Sequence, residues 1–425
     1  MKKILIGLLS LVFLVSLTHV CRVEAALENI SLGGDIRIRG QYAKNNNDLD
    51  DDTYDSEQIF RQRTRLWIKG DLAEGFTGYV RVAAEPRWGR PDYAYNTDPN
   101  AKQDNLNMVI IDNAYIEAKD FLGMPVTLKI GRQDLTYGEG FLVFEGTPGD
   151  GSRTIYFDAI KLSSTFGDAT IDLFTAKADE GEYTQPDDED LYGLYYTNRG
   201  IENHTLEAYG LHKARHGQEY NTTAVGIRST GKIVENLSYG VEVAKQFGKA
   251  GEDAAGKDID RDALGGLFHV TYGMPEVTCQ PKVKLGFYYT SGDDDATDDK
   301  NKAWDGFYTD FPKFGYGDML ATISKKNDPG SSNGVWSNHT IFELDVTANI
   351  TPKMCANVGY LLLQASEDNA AGESGRGSCP QVKFNYQFTE NVSGHWLAML
   401  FDPGEYYGDD LDDAMFTRFE LFIKF

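Results

Sequence analysis

Residues 60–70 read FRQRTRLWIKG, and the arginines of this stretch recur at every second position. Arg61, Arg63 and Arg65 would fan around a helix, whereas on a β-strand alternate side chains share one face. The opposite face of such a strand turns apolar from its middle onward. A strand with guanidinium groups on one face and apolar groups on the other is typical of the wall of a water-filled membrane barrel. The alternative is an exposed edge strand of a soluble sheet, where basic residues deter unwanted pairing.

The same two-residue period recurs from residue 30 to the end of the chain. Arg37 and Arg39 lie on the face opposite Ile36 and Ile38, and Arg81 alternates with apolar neighbours in the same way. Segments of about ten residues with this period are weak signals singly but in series indicate a transmembrane antiparallel β-barrel. We predict about 18 strands, near residues 29–43, 58–71, 76–86, 108–119, 125–134, 153–164, 169–179, 190–199, 204–215, 220–232, 237–248, 261–273, 278–290, 336–350, 353–365, 379–388, 391–401 and 414–425.

The connections between these segments alternate between short turns and long acidic loops. This asymmetry is typical of short periplasmic turns and long extracellular loops. We therefore expect residues 48–55 and 291–335 to be extracellular and the turn at residues 351–353 to be periplasmic. The last segment ends in an aromatic residue, Phe425, which resembles the signal by which outer-membrane barrels are recognised for insertion. A β-sandwich would also alternate, but would have little reason to carry aromatics at both ends of so many segments.

The N-terminus reads as a secretory signal peptide over residues 1–25, with two lysines, an apolar core and a small-residue cleavage site. We assign residues 26–425 to one barrel domain in contact with outer-membrane lipid. Cleavage would remove three basic residues and one acidic residue and change the formal net charge from −24 to −26. Cys279, Cys355 and Cys379 would remain, and their spacing matches no zinc or redox motif.

The acidic balance argues against nucleic acid as a partner, because phosphate binding requires a basic face. Many of the acids cluster between the predicted strands, where solvated loops are the ordinary interpretation. Asp293–Asp295 with Asp298 and Asp299 offer oxygen ligands for a divalent cation such as Ca²⁺, although they lack the spacing of a regular Ca²⁺ loop. We predict no metal site and no cofactor.

Several short motifs resemble the alginate-export family of bacterial outer-membrane porins. The most specific are the Gly-Arg-Gln block and the arginine that precedes Phe-Asp downstream. The matching stretches are NAYIE at 113–117, IGRQ at 130–133, YGEG at 137–140, Arg153 followed by FDA at 157–159, SGDD at 291–294 and WDGF at 304–307. The resemblance implies an 18-stranded barrel whose arginine-rich constriction passes a uronate polymer or similar anions. It also implies that Arg132 and Arg153 line the pore, with Asp158 as a charge partner.

The residues themselves support the same chemistry. The arginines on the inward phase come from three consecutive strands: Arg37, Arg39, Arg61, Arg63, Arg65 and Arg81. A guanidinium group stays charged and holds carboxylates in bidentate fashion, so such a row suits the passage of polyanions. The alternative is that these arginines pair with Asp35, Glu85 and Glu117 and only neutralise the lumen.

The loop at residues 291–335 is long and rich in aromatic residues, which predicts that residues 304–316 pack inside the barrel mouth. The histidines are scattered, and no nucleophile or phosphate-binding motif follows any strand, so we predict no enzymatic activity. We predict a passive outer-membrane channel for anionic solutes, plausibly an acidic polysaccharide. The alternatives are a general or small-anion porin and a surface adhesion or ligand-binding barrel without an open pore.

Overall fold

The computed structural model describes residues 28–52, 56–89, 109–145, 156–179, 188–217, 219–253, 255–295, 297–309, 314–316, 319–327 and 336–425. The predicted signal peptide and Arg153 lie outside these residues. Eighteen long strands form one antiparallel sheet. They are β1 (Glu28–Lys44), β2 (Glu57–Ala73), β3 (Phe76–Ala84), β4 (Ile110–Ala118), β5 (Val126–Gln133), β6 (Phe157–Phe166), β7 (Ala169–Asp179), β8 (Glu189–Ile201), β9 (His204–Arg215), β10 (Tyr220–Val234), β11 (Leu237–Glu252), β12 (Asp258–Gly273), β13 (Lys282–Thr290), β14 (His339–Thr351), β15 (Met354–Gln364), β16 (Gly375–Thr389), β17 (Val392–Pro403) and β18 (Ala414–Lys424).

The sheet closes on itself. Each strand pairs with the next along the chain, and β1 also pairs with β18, with Asp35 opposite Lys424 and Lys44 opposite Met415. Closure removes every exposed edge, which is what allows strands to cross a lipid bilayer. The predicted fold is confirmed, and the predicted strand ends agree with the observed ones to within about four residues.

The two ends of the barrel differ in their connections. At one end, which we call the short-turn end, pairs of strands meet through two residues, as at Glu74–Gly75 and Pro352–Lys353. Gly75 has a φ of 75°, a conformation that glycine adopts without strain in a tight hairpin. The opposite, long-loop end carries the connections after β3, β5 and β13. Both chain termini of the described barrel lie at the short-turn end.

Alternation separates an apolar outer face from a polar lumen. Ile116, Ile130 and Ile160 are cross-strand neighbours on the outer face, and each is more than 40% exposed. Lipid would cover such a face. The buried inward side chains of β1 and β2 are mostly charged. Among the described residues, no helix is long and apolar enough to cross a bilayer.

Two connections fold into the barrel and form its apolar core. Residues 134–145 contain the paired segments Leu135–Thr136 and Phe144–Glu145, and Tyr308 from the connection after β13 exchanges backbone hydrogen bonds with Leu142 and Phe144. The second connection continues into helix α1 (Met319–Asn327), whose described side chains are mostly buried. Trp304 and Phe314 are buried in this core, and Phe307, Tyr308 and Tyr316 are half-buried against it, so the prediction is confirmed for these residues.

Candidate functional site

Six arginines cover one side of the lumen, on three adjacent strands. We call this set the arginine wall, and it consists of Arg37 and Arg39 on β1, Arg61, Arg63 and Arg65 on β2, and Arg418 on β18. The register sets Arg37 opposite Arg63 and Arg39 opposite Arg61. Cross-strand partners lie on the same face of a sheet, so the alternation in sequence becomes a contiguous basic patch.

Carboxylate groups lie between these guanidinium groups and form salt bridges with them. Arg37 Nη2 lies 3.0 Å from Glu85 Oε1, and Arg39 Nε lies 2.5 Å from Glu420 Oε2. Arg65 Nε donates to Asp35 Oδ2 at 2.8 Å. The predicted pairing with Asp35 and Glu85 is therefore present, and it holds the side chains in fixed positions across the lumen wall.

Within the described residues, these carboxylates leave some donors of the wall without a hydrogen bond. Among the described residues, three carboxylates lie within 4.0 Å of the six guanidinium groups, those of Asp35, Glu85 and Glu420. Arg61 Nε and Arg65 Nη1 are buried donors without a hydrogen-bond partner in the described part of the chain. These two donors give the wall hydrogen-bonding capacity for an anion.

Arg81 also faces the lumen but is held differently. Its Nε lies 2.9 Å from Asp112 Oδ1 and its Nη2 lies 3.1 Å from Asp134 Oδ2. The backbone of β4 is irregular at Asp112, where the register to β3 shifts, and this brings the carboxylate under the guanidinium group. The two carboxylates outweigh the single charge of Arg81, so it adds no positive excess to the lumen.

Arg132 and Asp158 form the predicted ion pair, with Nε and Oδ1 2.9 Å apart, but on the wrong face for a pore. Arg132 shares its face of β5 with Ile130, and Asp158 shares its face of β6 with Ile160. Both isoleucines point outward, so the expectation that Arg132 lines the pore is corrected. The guanidinium group stacks 3.8 Å from the ring centroid of Tyr156 at the long-loop end of the outer surface.

The sequence reasoning did not assign Arg418 to the site. Its Nε donates to His395 Nε2 at 3.0 Å, and its Nη2 donates to the carbonyl of Tyr316 at 3.3 Å. The two-residue alternation of the last strand was the available sequence signal, because it places Arg418 on the face opposite that of Phe419. Its position beside β1 follows only from barrel closure.

On the other side of the lumen, inward residues of β7 to β13 hold the two folded connections. We call these residues the loop seat. Tyr137 donates to Asp172 Oδ2 at 3.0 Å and stacks on Tyr195 at a centroid distance of 4.5 Å. Glu139 accepts from Arg228 Nη2 at 3.0 Å and lies 3.0 Å from His269 Nε2. Residues 134–145 therefore cross the lumen from β5 to β12.

Burial alone would raise the pKa of Glu139. The hydrogen bonds and charges of His269 and Arg228 outweigh burial and lower that pKa to about 2. Glu139 is therefore a carboxylate at neutral pH and holds its connection electrostatically.

Asp305 anchors the second connection. Its carboxylate lies 3.4 Å from Lys213 Nζ and accepts a hydrogen bond from Tyr220 Oη, and its backbone N–H donates to Gln246 Oε1 at 3.0 Å. Burial acts to raise the pKa of Asp305, but the nearby cations and donors lower it overall. Next to it, the buried indole of Trp304 packs 5.1 Å from the ring of Phe141 on the first connection.

The acidic side chains after Ser291 form salt bridges and hydrogen bonds with neighbouring residues. Asp294 binds Lys302 Nζ at 2.5 Å, Asp299 binds Lys257 Nζ at 3.1 Å, and Asp295 accepts from Thr297. In the part of the chain that the structure describes, no group of three or more His, Cys, Asp or Glu side chains is arranged to hold a metal ion. The three cysteines there are free thiols.

A cavity of about 1040 Å³ opens at the short-turn end and extends from there to the arginine wall. We call it the vestibule. Its lining includes Arg63, Arg65, Trp67, Lys383 and Lys424. The vestibule connects the wall to solvent, so a solute entering from the short-turn end would meet these cations first.

A closed eighteen-strand barrel with an apolar outer face, a charged lumen and inward-folded connections defines a channel of the outer-membrane porin class. The sequence profile described as "Alginate export" matches residues 28–322, and the chain belongs to this alginate export family. The protein is therefore located in the bacterial outer membrane. A comparison with curated protein sequences gave no match.

Solved porins of Pseudomonas aeruginosa share the fold. OccK9 (OpdG) superposes with a TM-score of 0.61 at 13% identity, over 93% of this chain and 98% of its own. OccK2 (OpdF), solved in complex with glucuronate, gives 0.59 at 13% identity, over 94% and 99% of the two chains. OpdK with vanillate gives 0.57 at 14% identity, over 94% and 100%. At these identities the likeness shows the fold alone.

Proposed function

We propose that the protein is a passive channel for anionic solutes, that the arginine wall supplies its selectivity, and that a uronate polysaccharide is its substrate. The observation that carries the proposal is the cross-strand clustering of six buried guanidinium groups on the lumen face. Membership of the alginate export family supports a uronate polymer as the substrate. The glucuronate and vanillate bound by two structural neighbours are carboxylates, in agreement with this chemistry.

The overall charge opposes this selectivity, because the chain carries a formal net charge of −24. Most acidic clusters lie in connections at the long-loop end, and a Debye length of about 8 Å screens exposed charges from the lumen. Two unit charges 4 Å apart interact by about 4 kcal/mol at an effective dielectric constant of 20, against about 1 kcal/mol in water. The local charge of the wall therefore outweighs the net charge of the chain, and the pore prefers anions.

Replacing Arg61, Arg63 and Arg65 with glutamine tests the proposal in planar bilayers. The reversal potential in a salt gradient should move toward cation selectivity, and block by uronate oligomers should weaken. The matched control replaces Lys249, Lys257 and Lys300 with glutamine, which removes the same charge from exposed positions at the long-loop end. The control should shift the potential far less. Heat-modifiable electrophoretic mobility checks that each barrel is folded.

A wild-type pore that already prefers cations would contradict the proposal, because the acidic connections would then dominate. A barrel without measurable conductance would favour the adhesion or ligand-binding alternative. Both results are read from the unmodified protein before any variant is made.

A second candidate, a channel for small organic anions, is favoured by the two connections that fill the lumen above the wall. If these connections stay seated, a polymer has less room than a monosaccharide. Block should be compared for glucuronate and for uronate oligomers of increasing length. Affinity that rises with length favours the polymer, and affinity that is highest for the monomer favours the small anion.

A further inference from the structure

Three aromatic rings form a continuous row on the lumen side of β2, β3 and β4. We call this row the aromatic ribbon, and it consists of Trp67, Tyr79 and Tyr115. The Trp67 and Tyr79 rings have centroids 6.1 Å apart, and the Tyr79 and Tyr115 rings have centroids 5.0 Å apart. In both pairs the ring planes lie within 23° of parallel. The rings are half-buried, so each keeps some surface exposed to the lumen.

Lipid does not explain the ribbon, because its residues lie on the inward phase. Trp67 follows Arg65 on the same face of β2, whereas Leu66 and Ile68 face outward with 49% and 41% of their surface exposed. Aromatic residues that anchor a barrel in its membrane belong to the outer face. A solute in the lumen is therefore the partner that these rings can contact.

The backbone beside Trp67 accommodates its ring. A Cβ at Gly33, directly opposite Trp67 on β1, would lie 2.4 Å from Trp67 Cζ2. Glycine at this position lets the indole lie across the neighbouring strand. The ring is thus held against the barrel wall instead of extending into the channel.

Cations flank both ends of the ribbon. Trp67 lines the vestibule together with Arg63, Arg65 and Lys383. At the far end, Lys129 Nζ lies 3.8 Å from the centroid of the Tyr115 ring. A ligand lying along the ribbon would therefore find flat apolar surfaces next to positive charges.

We propose that the vestibule and the aromatic ribbon form a binding site for a uronate oligosaccharide. The C–H faces of successive pyranose rings pack on Trp67 and its neighbours, and their carboxylates pair with Arg63 and Arg65. The vestibule volume of about 1040 Å³ exceeds the roughly 300–1,000 Å³ of pockets for drug-sized ligands, so it suits several sugar units. The site lies at the short-turn end, which we expect to face the periplasm, where an exported chain would enter. This inference rests on the proposed function for its substrate, but its aromatic part makes a separate claim.

The test compares Trp67→Leu with wild type, using calorimetry on the purified protein in detergent and block of bilayer conductance. The ligands are a uronate tetramer, a glutamate oligomer of equal charge, and vanillate. Loss of the ring should raise the Kd of the uronate tetramer about tenfold and leave that of the glutamate oligomer unchanged. The reversal potential should also stay unchanged, because no charge is removed. Trp67→Phe should restore most of the tetramer affinity.

The matched control is Trp396→Leu on β17, an outward tryptophan stacked 5.7 Å from Phe384. It should leave tetramer affinity unchanged. Equal weakening of both oligomers, or no change for either, overturns the inference while the anion selectivity of the wild type still supports the channel function. Weakening confined to vanillate would assign the ribbon to aromatic acids instead of sugars. A cation-selective wild type that still loses tetramer affinity in Trp67→Leu would overturn the channel proposal alone.

Discussion

The arginine wall and the loop seat lie on opposite sides of one lumen. Both consist of inward-facing strand residues, but their charged groups are paired differently. In the wall, six guanidinium groups face three carboxylates among the described residues. In the seat, Arg228 alone lies within 4.0 Å of three carboxylates, those of Glu139, Glu207 and Glu242. Arg61 Nε and Arg65 Nη1 are buried donors without a partner in the described part of the chain, which leaves the wall able to bind a mobile anion. The seat satisfies its charges with residues of its own chain, so it binds the connections.

The second difference is what covers each surface. The seat is covered by the apolar side of residues 134–145, where Phe141, Leu142 and Val143 are almost completely buried. The wall is reached from the vestibule, which is lined largely by polar and charged side chains. If the wall sets selectivity as proposed, selectivity and occlusion depend mainly on different sides of the lumen, which are joined where Arg418 donates to the carbonyl of Tyr316.

The largest expected effect comes from deleting part of the connection after β13, which the loop seat holds. Deleting residues 295–320 and joining the ends with a short glycine–serine linker should raise single-channel conductance severalfold, because the described residues of this segment from Ala303 onward pack in the lumen. The barrel should remain folded, since its strands pair without this segment. The control replaces residues 253–257, the connection between β11 and β12 whose described side chains are exposed, with a glycine–serine linker of equal length. Conductance that stays the same after the larger deletion would show that the segment does not occlude the pore.

A smaller effect is expected from a single anchor of the seat. Asp305→Asn leaves Lys213, only 3% exposed, with Glu189 at 3.8 Å as its remaining carboxylate. Weakening a buried charge pair in this way should cost the seated connection about 1–3 kcal/mol. Conductance should fluctuate more, and protease should cut within residues 291–335 faster, while ion selectivity is retained. Asp298→Asn, at an exposed turn, is the control. Cutting at the wild-type rate would place the anchor of the connection elsewhere.

The strands and their faces could be predicted from the sequence because a β-strand converts a two-residue period directly into two faces. That rule predicts that Arg37, Arg39, Arg61, Arg63 and Arg65 all face the lumen. The same rule, applied to IGRQ at 130–133, sets Arg132 on the face of Ile130 and opposite Gln133. The expectation that Arg132 lines the pore came from the family resemblance. A resemblance of this kind matches a motif but does not say which face of the strand each of its residues occupies.

The long-range contacts of the loop seat and of the arginine wall could not be predicted. Glu139 and His269 are 130 positions apart, and Arg39 and Glu420 are 381 apart. No local pattern encodes which strand a folded connection will reach across a lumen. The aromatic content of the connection after β13 predicted that it would be buried, but its partners depend on barrel closure and on the other connection.

The smallest expected effect tests the division between lumen and outer face. Arg132→Gln breaks an ion pair whose side chains are 32% and 50% exposed. Solvent screening limits exposed pairs to about 0–1 kcal/mol, so the free energy of unfolding should change by less than about 1 kcal/mol. The reversal potential and the block by uronate oligomers should match wild type, because the guanidinium group contacts Tyr156 and Asp158 outside the lumen. Arg65→Gln removes the same charge from the arginine wall and should shift the potential measurably in the same assay. An equal shift in the two variants would mean that Arg132 reaches the pore and that the face assigned to it is wrong.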